Sequence, residues 1–250
     1  MRCTLGVDVG TSSTKGVLVA DDGTIVATAT RAHDVSRPHT GWVEMDASIW
    51  WDEFVDIARE LRAAHPDAEI VAVGVSGMGP CILLADENDQ PVRPAILYGV
   101  DTRASAQIER ITAELGVEEI TRIGGSVLTS QAGGPKIAWI EEEEPAAWAR
   151  ARRLFMPASW LVRHLTGAYV FDHQSASQVS PPLRHREREM ACPVLGPLRH
   201  HDRAAAPDVG GRHRRHRHRA GIRIDRNPGG NSRHHGHDRC LDRGRQRRRA

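Results

Sequence analysis

The stretch Leu5–Lys15, LGVDVGTSSTK, limits what this chain can fold into more than any other part of it. An apolar run that ends on Asp8 and turns at once through Gly10 into Thr11, Ser12, Ser13 and Thr14 reads as a buried strand. It delivers a carboxylate to a tight turn rich in phosphate donors. Gly16–Ala20 is apolar again, and Asp21-Asp22-Gly23 is hairpin-turn chemistry ahead of a third run, Thr24–Thr30. The turn is therefore expected between strands of a three-strand meander.

The segments after the meander set the fold class. Asp46 stands as the N-cap of an amphipathic helix over Ser48–Ala63, in which Trp50, Trp51, Phe54, Ile57, Ala58 and Leu61 recur at helical spacing. Glu69–Ser76, EIVAVGVS, reads as a continuous apolar strand buried on both faces. Gly77–Pro80 breaks it, and a hairpin is expected from Ile82–Ala85 and Val92–Tyr98 about a turn at Glu87–Gln90. Asp101 is placed as the cap of a helix reaching Leu115. Further helices are expected over Pro135–Glu142, Pro145–Arg152 and Ala158–Leu165, the last stopped by Gly167, with a short strand at Leu154–Met156. Three strands, a helix, a strand and further helices make an α/β pattern with a mixed sheet, unlike a strictly alternating doubly wound fold.

Composition excludes several classes. No run approaches the ~20 apolar residues of a membrane span, and the amino terminus has no charged-then-apolar leader, so the cytoplasm is the expected location. The four cysteines show no CxxC spacing, which argues against a zinc site or a disulfide framework. The net charge of +2 conceals a division: Leu183–Ala250 holds 19 Arg and no Lys against 7 acids, a net +12, and the remaining residues carry a net −10. The sequence sets no oligomeric state.

The turn has parts suited to phosphoryl transfer: amides and hydroxyls to wrap an anion, Lys15 as a point charge, and Asp8 as a hard oxygen ligand for magnesium or an oriented water. No GxxxxGK[ST] loop competes with it. The bland alternative is a Gly/Ser hairpin with a buried, capped Asp.

With the whole chain in view, the sequence resembles the FGGY family of carbohydrate kinases, and its xylulokinase-like members most of all. The resemblance runs through the first 178 residues: DVGTSSTK at Asp8–Lys15, GWVEMD-then-WW from Gly41 to Trp51, GVSG at Gly74–Gly77, RPAILYGVDTR at Arg93–Arg103, PKIAWIEEEEP at Pro135–Pro145 and LTGAYVFDHQSAS at Leu165–Ser177. It implies an actin-like, ribonuclease-H-like ATPase lobe, with ATP and Mg2+ as the phosphoryl donor pair and a pentulose-like sugar or polyol as the acceptor.

By that resemblance Asp8, Gly10, Thr11, Ser12, Ser13 and Lys15 face the ATP phosphates and the metal, with Asp8 as its ligand. Met78, Gly79, Asp101 and Arg103 line the sugar pocket. Asp101 and Arg103 can pair donors with acceptors on sugar hydroxyls; the plain alternative is a helix cap with a surface salt bridge. Trp42 could offer its face to a sugar but reads more simply as core. Lys136 and Trp139 look like helix packing with a snorkelling lysine, and Glu141–Glu144 like a solvated helix face. Where xylulokinases commonly carry Gln-Met-His-Gly, this chain has Met78-Gly79-Pro80-Cys81, so a histidine that would touch the sugar is replaced by proline.

The basic stretch 179–250 reads as a disordered tail outside the lobe. The Gly-x-x-Asp segment bearing the family's catalytic base is absent from this frame, so no catalytic base is assigned. Codons that could encode Pro181–His185, Met190–His201 and His237–Arg248 in a GC-rich gene, read one nucleotide later, can give family-like segments in the right order, with codon choice free. The last includes the catalytic Asp, its codon straddling Arg239 and Cys240. The expectation is a frameshift close to Gln178 and an inactive chain. The competing reading is a nucleic-acid-binding protein whose Arg/His tail contacts phosphate. A further one keeps the lobe as a structural or regulatory ATPase.

Overall fold

The computed structural model describes residues 1–179. Its centre is a four-stranded mixed sheet in the order β3-β2-β1-β5. Strands β1 (Arg2–Val9), β2 (Ser13–Ala20) and β3 (Ile25–Ala32) form the expected antiparallel meander. Gly23, at φ 88°, makes the β2–β3 turn, and Asp22 Oδ1 accepts the Thr24 amide at 2.9 Å, which with related bonds holds its carboxyl below the usual range.

After β4 (Glu44–Met45), α1 (Ala47–Ala64) begins where Asp46 Oδ1 accepts the Ser48 amide at 2.9 Å, as the sequence indicates. Its stripe Trp50, Phe54, Ile57 and Leu61 is buried on one face of the sheet against Leu5, Val7, Val9 and Leu18. The helix returns the chain so that β5 (Glu69–Gly77) lies parallel to β1. One expectation fails here. β5 is not buried on both faces: it is the end strand of the sheet among the described residues, and its residues alternate between exposed and half-buried, Val71 at 41% exposure. Burial of an apolar strand on both faces needs a layer on each, and within the described residues helices pack only on the α1 side.

The expected hairpin is also re-paired. β6 (Leu83–Ala85) joins β8 (Arg153–Phe155), and β7 (Ala95–Ile96) joins β4, while single bridges Ile82–Ile96 and Ala85–Pro91 keep the hairpin's shape. β6 divides the interior in two through its period of two: Leu83 and Ala85 face the α1 core, and Ile82 and Leu84 face a second core with Ile96, Ile137, Trp139 and Ile140.

The remaining helices are α2 (Ser105–Leu115), α3 (Val117–Gly124), α4 (Gly133–Glu143), α5 (Pro145–Arg150), α6 (Pro157–Thr166) and α7 (His173–Gln178). α3 and α7 are not among the expected helices; each is short, α3 ending at Gly125 in the left-handed region and α7 capped by Asp172. Gly167 ends α6 in the left-handed region at φ 71°, as its sequence position predicts. Asp101 does not cap α2: the N-cap is Ala104, without a side-chain bond. No helix among the described residues is long and apolar enough to cross a membrane. The expectations for the tail, disorder and an out-of-frame origin, fall outside the described residues.

Candidate active site

The uncovered face of the sheet carries a row of polar side chains, one from each strand. Register pairs Thr30 with Lys15, Lys15 with Asp8, and Asp8 with Ser76, so the four stand side by side across β3, β2, β1 and β5. Asp8, Lys15, Thr30 and Ser76 are all exposed. Ser76 donates its Oγ–H to Asp8 Oδ1 at 2.5 Å and fixes the carboxylate's orientation. One row below, Gly6 and Gly74 are paired neighbours, so no side chain rises behind Asp8 and Ser76. A trough of about 660 Å³ results, lined by Gly6, Asp8, Lys15, Thr30, Gly74 and Ser76 among others.

The β1–β2 turn stands at one end of this trough. Gly10 donates its amide to Ser13 O at 2.9 Å, and a Cβ on Gly10 would lie 2.9 Å from that same oxygen, so the turn as built admits only glycine there. Thr11 and Ser13 are half-buried and Ser12 is exposed, while Thr14 turns inward, fully buried, with its hydroxyl among those left without a partner. Three of the four hydroxyls therefore stay at the surface of the turn. Parallel pairing brings the carboxyl end of β5 to the same place: Gly77 is opposite Val9, and Met78 donates its amide to Val9 O at 2.7 Å. Met78 and Gly79 thus sit beside the turn, both half-buried. Open α/β sheets bind ligands beyond the carboxyl ends of their strands, and here two such ends meet.

Asp101 and Arg103 lie elsewhere, in the interior. Asp101 is 0% exposed and accepts the Val43 amide at 2.6 Å, the Arg103 amide at 3.1 Å and the Arg103 guanidinium through Nε and Nη2. Arg103 also donates Nη1 to Glu44 at 2.7 Å; Arg93 donates to the same carboxylate and, at 2.6 Å, to Glu144. The Arg103 guanidinium stands 4.2 Å from the Trp42 ring and 4.9 Å from Trp139. This is a closed network rather than a surface salt bridge. Two smaller expectations change with it. Lys136 does not snorkel but is buried, donating to Ser130 O. Within the Glu141–Glu144 run, Glu142 accepts from Gln107 and Arg110, and Glu144 from Arg93, so the run also ties α4 and α5 to their neighbours.

Two residues of the site gain their place only from the tertiary structure, although Ser76 lies within the GVSG motif. Ser76 is recognisable only through the parallel register that sets it beside Asp8. His33, just past β3, bonds the turn: its amide donates to Ser12 O at 3.1 Å, and its ring spans Gly10 O at 3.1 Å and Glu53 Oε2 on α1 at 2.9 Å. No local signal points to it.

Comparison with known proteins names the architecture. The FGGY family of carbohydrate kinases, N-terminal domain, matches residues 3–180. The chain belongs to that family. Among its FGGY relatives, the xylulose kinase of Lactococcus lactis is 31% identical over 169 residues, 67% of this chain and 33% of that enzyme. The glycerol kinase of a Janthinobacterium species is 30% identical over 181 residues, 70% of this chain and 36% of that enzyme. The crystal structure of xylulose kinase from Rhodospirillum rubrum superposes with a TM-score of 0.69 at 32% identity, covering 71% of this chain and 37% of that one. The chain spans about a third of the length of the curated relatives it matches. The four-stranded mixed sheet with its flanking helices is thus the actin-like, ribonuclease-H-like arrangement of FGGY kinases.

A nucleotide and its metal fit the site on the chemistry of its donors. The turn offers amides, hydroxyls and Lys15 to phosphate, and Asp8 offers one oriented carboxylate. Magnesium held by one or two carboxylates plus substrate phosphates needs no all-protein cage, and no group of three or more His, Cys, Asp or Glu suited to a metal exists among the described residues.

Proposed function

We propose that this chain carries the phosphate-binding lobe of an ATP-dependent sugar or polyol kinase, acting on a pentulose-like acceptor in the cytoplasm. The observation that carries the reading is the meeting of the β1 and β5 carboxyl ends. It sets Asp8 and Ser76 beside the Gly10–Ser13 turn and next to Met78 and Gly79.

In this reading Thr11, Ser12, Ser13 and Lys15 orient the triphosphate and neutralise its charge, and Asp8 holds Mg2+, which supplies charge neutralisation at the transferred phosphoryl group. Positioning and electrostatics are most of what phosphoryl transfer asks of a protein. Met78 and Gly79 border the sugar. Asp101 and Arg103 are sealed from solvent, and their network fixes Trp42 and the Val43–Glu44 segment. Proline at position 80 removes one donor from the sugar side, and the relatives include xylulose and glycerol kinases, so the sugar class is read broadly. The nucleic-acid alternative gains no support from these relatives.

The stretch 179–250 enters the reading as out-of-frame sequence, supported by its 19 Arg without Lys from Leu183 onward and by the end of the family match at residue 180. The test is a gene with the frame restored near codon 178, assayed for ADP release with ATP and D-xylulose, glycerol or gluconate. Turnover is expected from the restored gene, with a loss of at least a hundredfold in Asp8→Ala, and none from the 250-residue chain. Equal rates for Asp8→Ala and its parent would refute the site. Turnover by the unaltered chain would refute the frameshift.

A further inference from the structure

The turn that carries the phosphate reading is not self-supporting. Its carbonyls are held from behind by one residue: His33 bonds Ser12 O through its amide and Gly10 O through its ring, at 3.1 Å each. The other ring nitrogen, Nδ1, meets Glu53 Oε2 at 2.9 Å, with the two side chains 5% and 14% exposed.

Proton counting at these two contacts constrains the form of the ring. A carbonyl oxygen can only accept, so Nε2 carries hydrogen. The Nδ1 contact is a hydrogen bond when one proton lies between the ring and the carboxyl, which an N–H on Nδ1 donating to a carboxylate provides. When both contacts are hydrogen bonds, both ring nitrogens donate, and the arrangement is that of an imidazolium against a carboxylate.

The orientation of the turn is a consequence. With the Gly10 and Ser12 carbonyls pulled toward His33, and the Gly10 amide used inside the turn on Ser13 O, the amides of Thr11 and Ser12 donate to no group among the described residues. Backbone amides left free in a turn whose carbonyls are already bonded are donors an anion can take up.

We infer that His33 is a positioning residue of the phosphate turn: an imidazolium, clamped by Glu53 of α1, that holds the turn's carbonyls back so that its amides face phosphate. The inference rests on the phosphate reading of the turn. Glu53 matters because it links the turn to the helix that carries the core, so that the turn is braced by α1 rather than by its own short span.

The experiment uses the full chain labelled with 15N. Imidazole correlation spectra, with His33 assigned by its loss in His33→Leu, are expected to show two N–H groups on this ring and only one in Glu53→Gln. A bare ring nitrogen in the parent chain overturns the proposal. Amide exchange at Gly10 and at residue 33 is expected to quicken at least tenfold in His33→Leu while Leu5, in the core of β1, stays unchanged and reports intact folding. Unchanged exchange at the turn overturns the brace.

Titration with magnesium tripolyphosphate, followed at the Thr11 and Ser12 amides, is expected to show affinity roughly tenfold weaker in His33→Leu, the scale of one charge-assisted hydrogen bond. A smaller loss is expected in Glu53→Gln, which keeps the ring. Equal affinities in parent and variants overturn the positioning role. Silence of both amides in the parent chain refutes the phosphate reading of the turn, and the exchange result then decides the His33 brace by itself.

Discussion

Raising the pH through the alkaline range probes the interior at Lys136 and Cys81, which burial perturbs in opposite senses. Lys136 is 1% exposed. Burial lowers its pKa from 10.5 to about 8, against the pull of Asp101 and Cys81 and with a push from Arg103. Its ammonium therefore costs stability below about pH 8. Between about 8 and 10.5 the unfolded chain holds one proton more than the folded one, so stability rises with pH. A gap of that size is worth roughly 3 kcal/mol. Cys81 behaves in reverse: burial pushes its thiol from 9.0 to about 12, so the unfolded chain ionises first and stability falls across that interval, by roughly 4 kcal/mol in all. Each slope is about 1.4 kcal/mol per pH unit, so from about pH 9 to 10.5 they cancel. Urea unfolding followed by tryptophan fluorescence at fixed pH should therefore show stability rising from pH 8 to 9, level to about 10.5, then falling. Lys136→Met should lose the rising limb, and Cys81→Ala the falling one. If both variants keep the parent's profile, neither group is buried in the folded state and the reasoning fails.

Three further outcomes rest on the same packing. Arg103→Leu leaves Asp101 and Glu44 charged in the interior without their shared partner, and urea unfolding should show a loss of about 3–5 kcal/mol. Arg110→Leu removes a pair with Glu142 whose side chains are 43% and 41% exposed, and should cost less than about 1 kcal/mol. Gly16→Ala places a Cβ 2.2 Å from Ile57 Cγ2 and should destabilise by about 1–3 kcal/mol, whereas Gly74→Ala, with nothing within 4 Å, should leave the unfolding midpoint nearly unchanged.

Legibility in the sequence tracks the range of the interaction. The α1 stripe and its Asp46 cap, the Asp22-Gly23 turn and the Gly167 stop each depend on residues a few positions apart, and the sequence pattern places them within a residue or two. The β1–β2 turn is legible for the same reason, since Asp8 through Lys15 are contiguous. The failures are long-range. Asp8 meets Ser76 across 68 positions, Glu44 meets Arg93 and Arg103 across 49 and 59, and His33 reaches Glu53 across 20. Asp101 reads as a helix cap and Lys136 as a snorkelling lysine because each has the local pattern for that role. Their burial is set by neighbours that no local pattern announces.

By itself, then, the sequence determined the meander, the helix that backs it, the place of the Gly10–Ser13 turn and the family to which the chain belongs, because strand alternation, capping and tight turns are short-range chemistry. Only the tertiary structure decided that β5 runs parallel to β1 and ends beside the turn, that the arginines are sealed inside while the Thr30, Lys15, Asp8 and Ser76 row is open, and that His33 stands behind Gly10 and Ser12. Those outcomes depend on which faces remain uncovered and which charges find partners once the helices have packed, and both are properties of the assembled sheet.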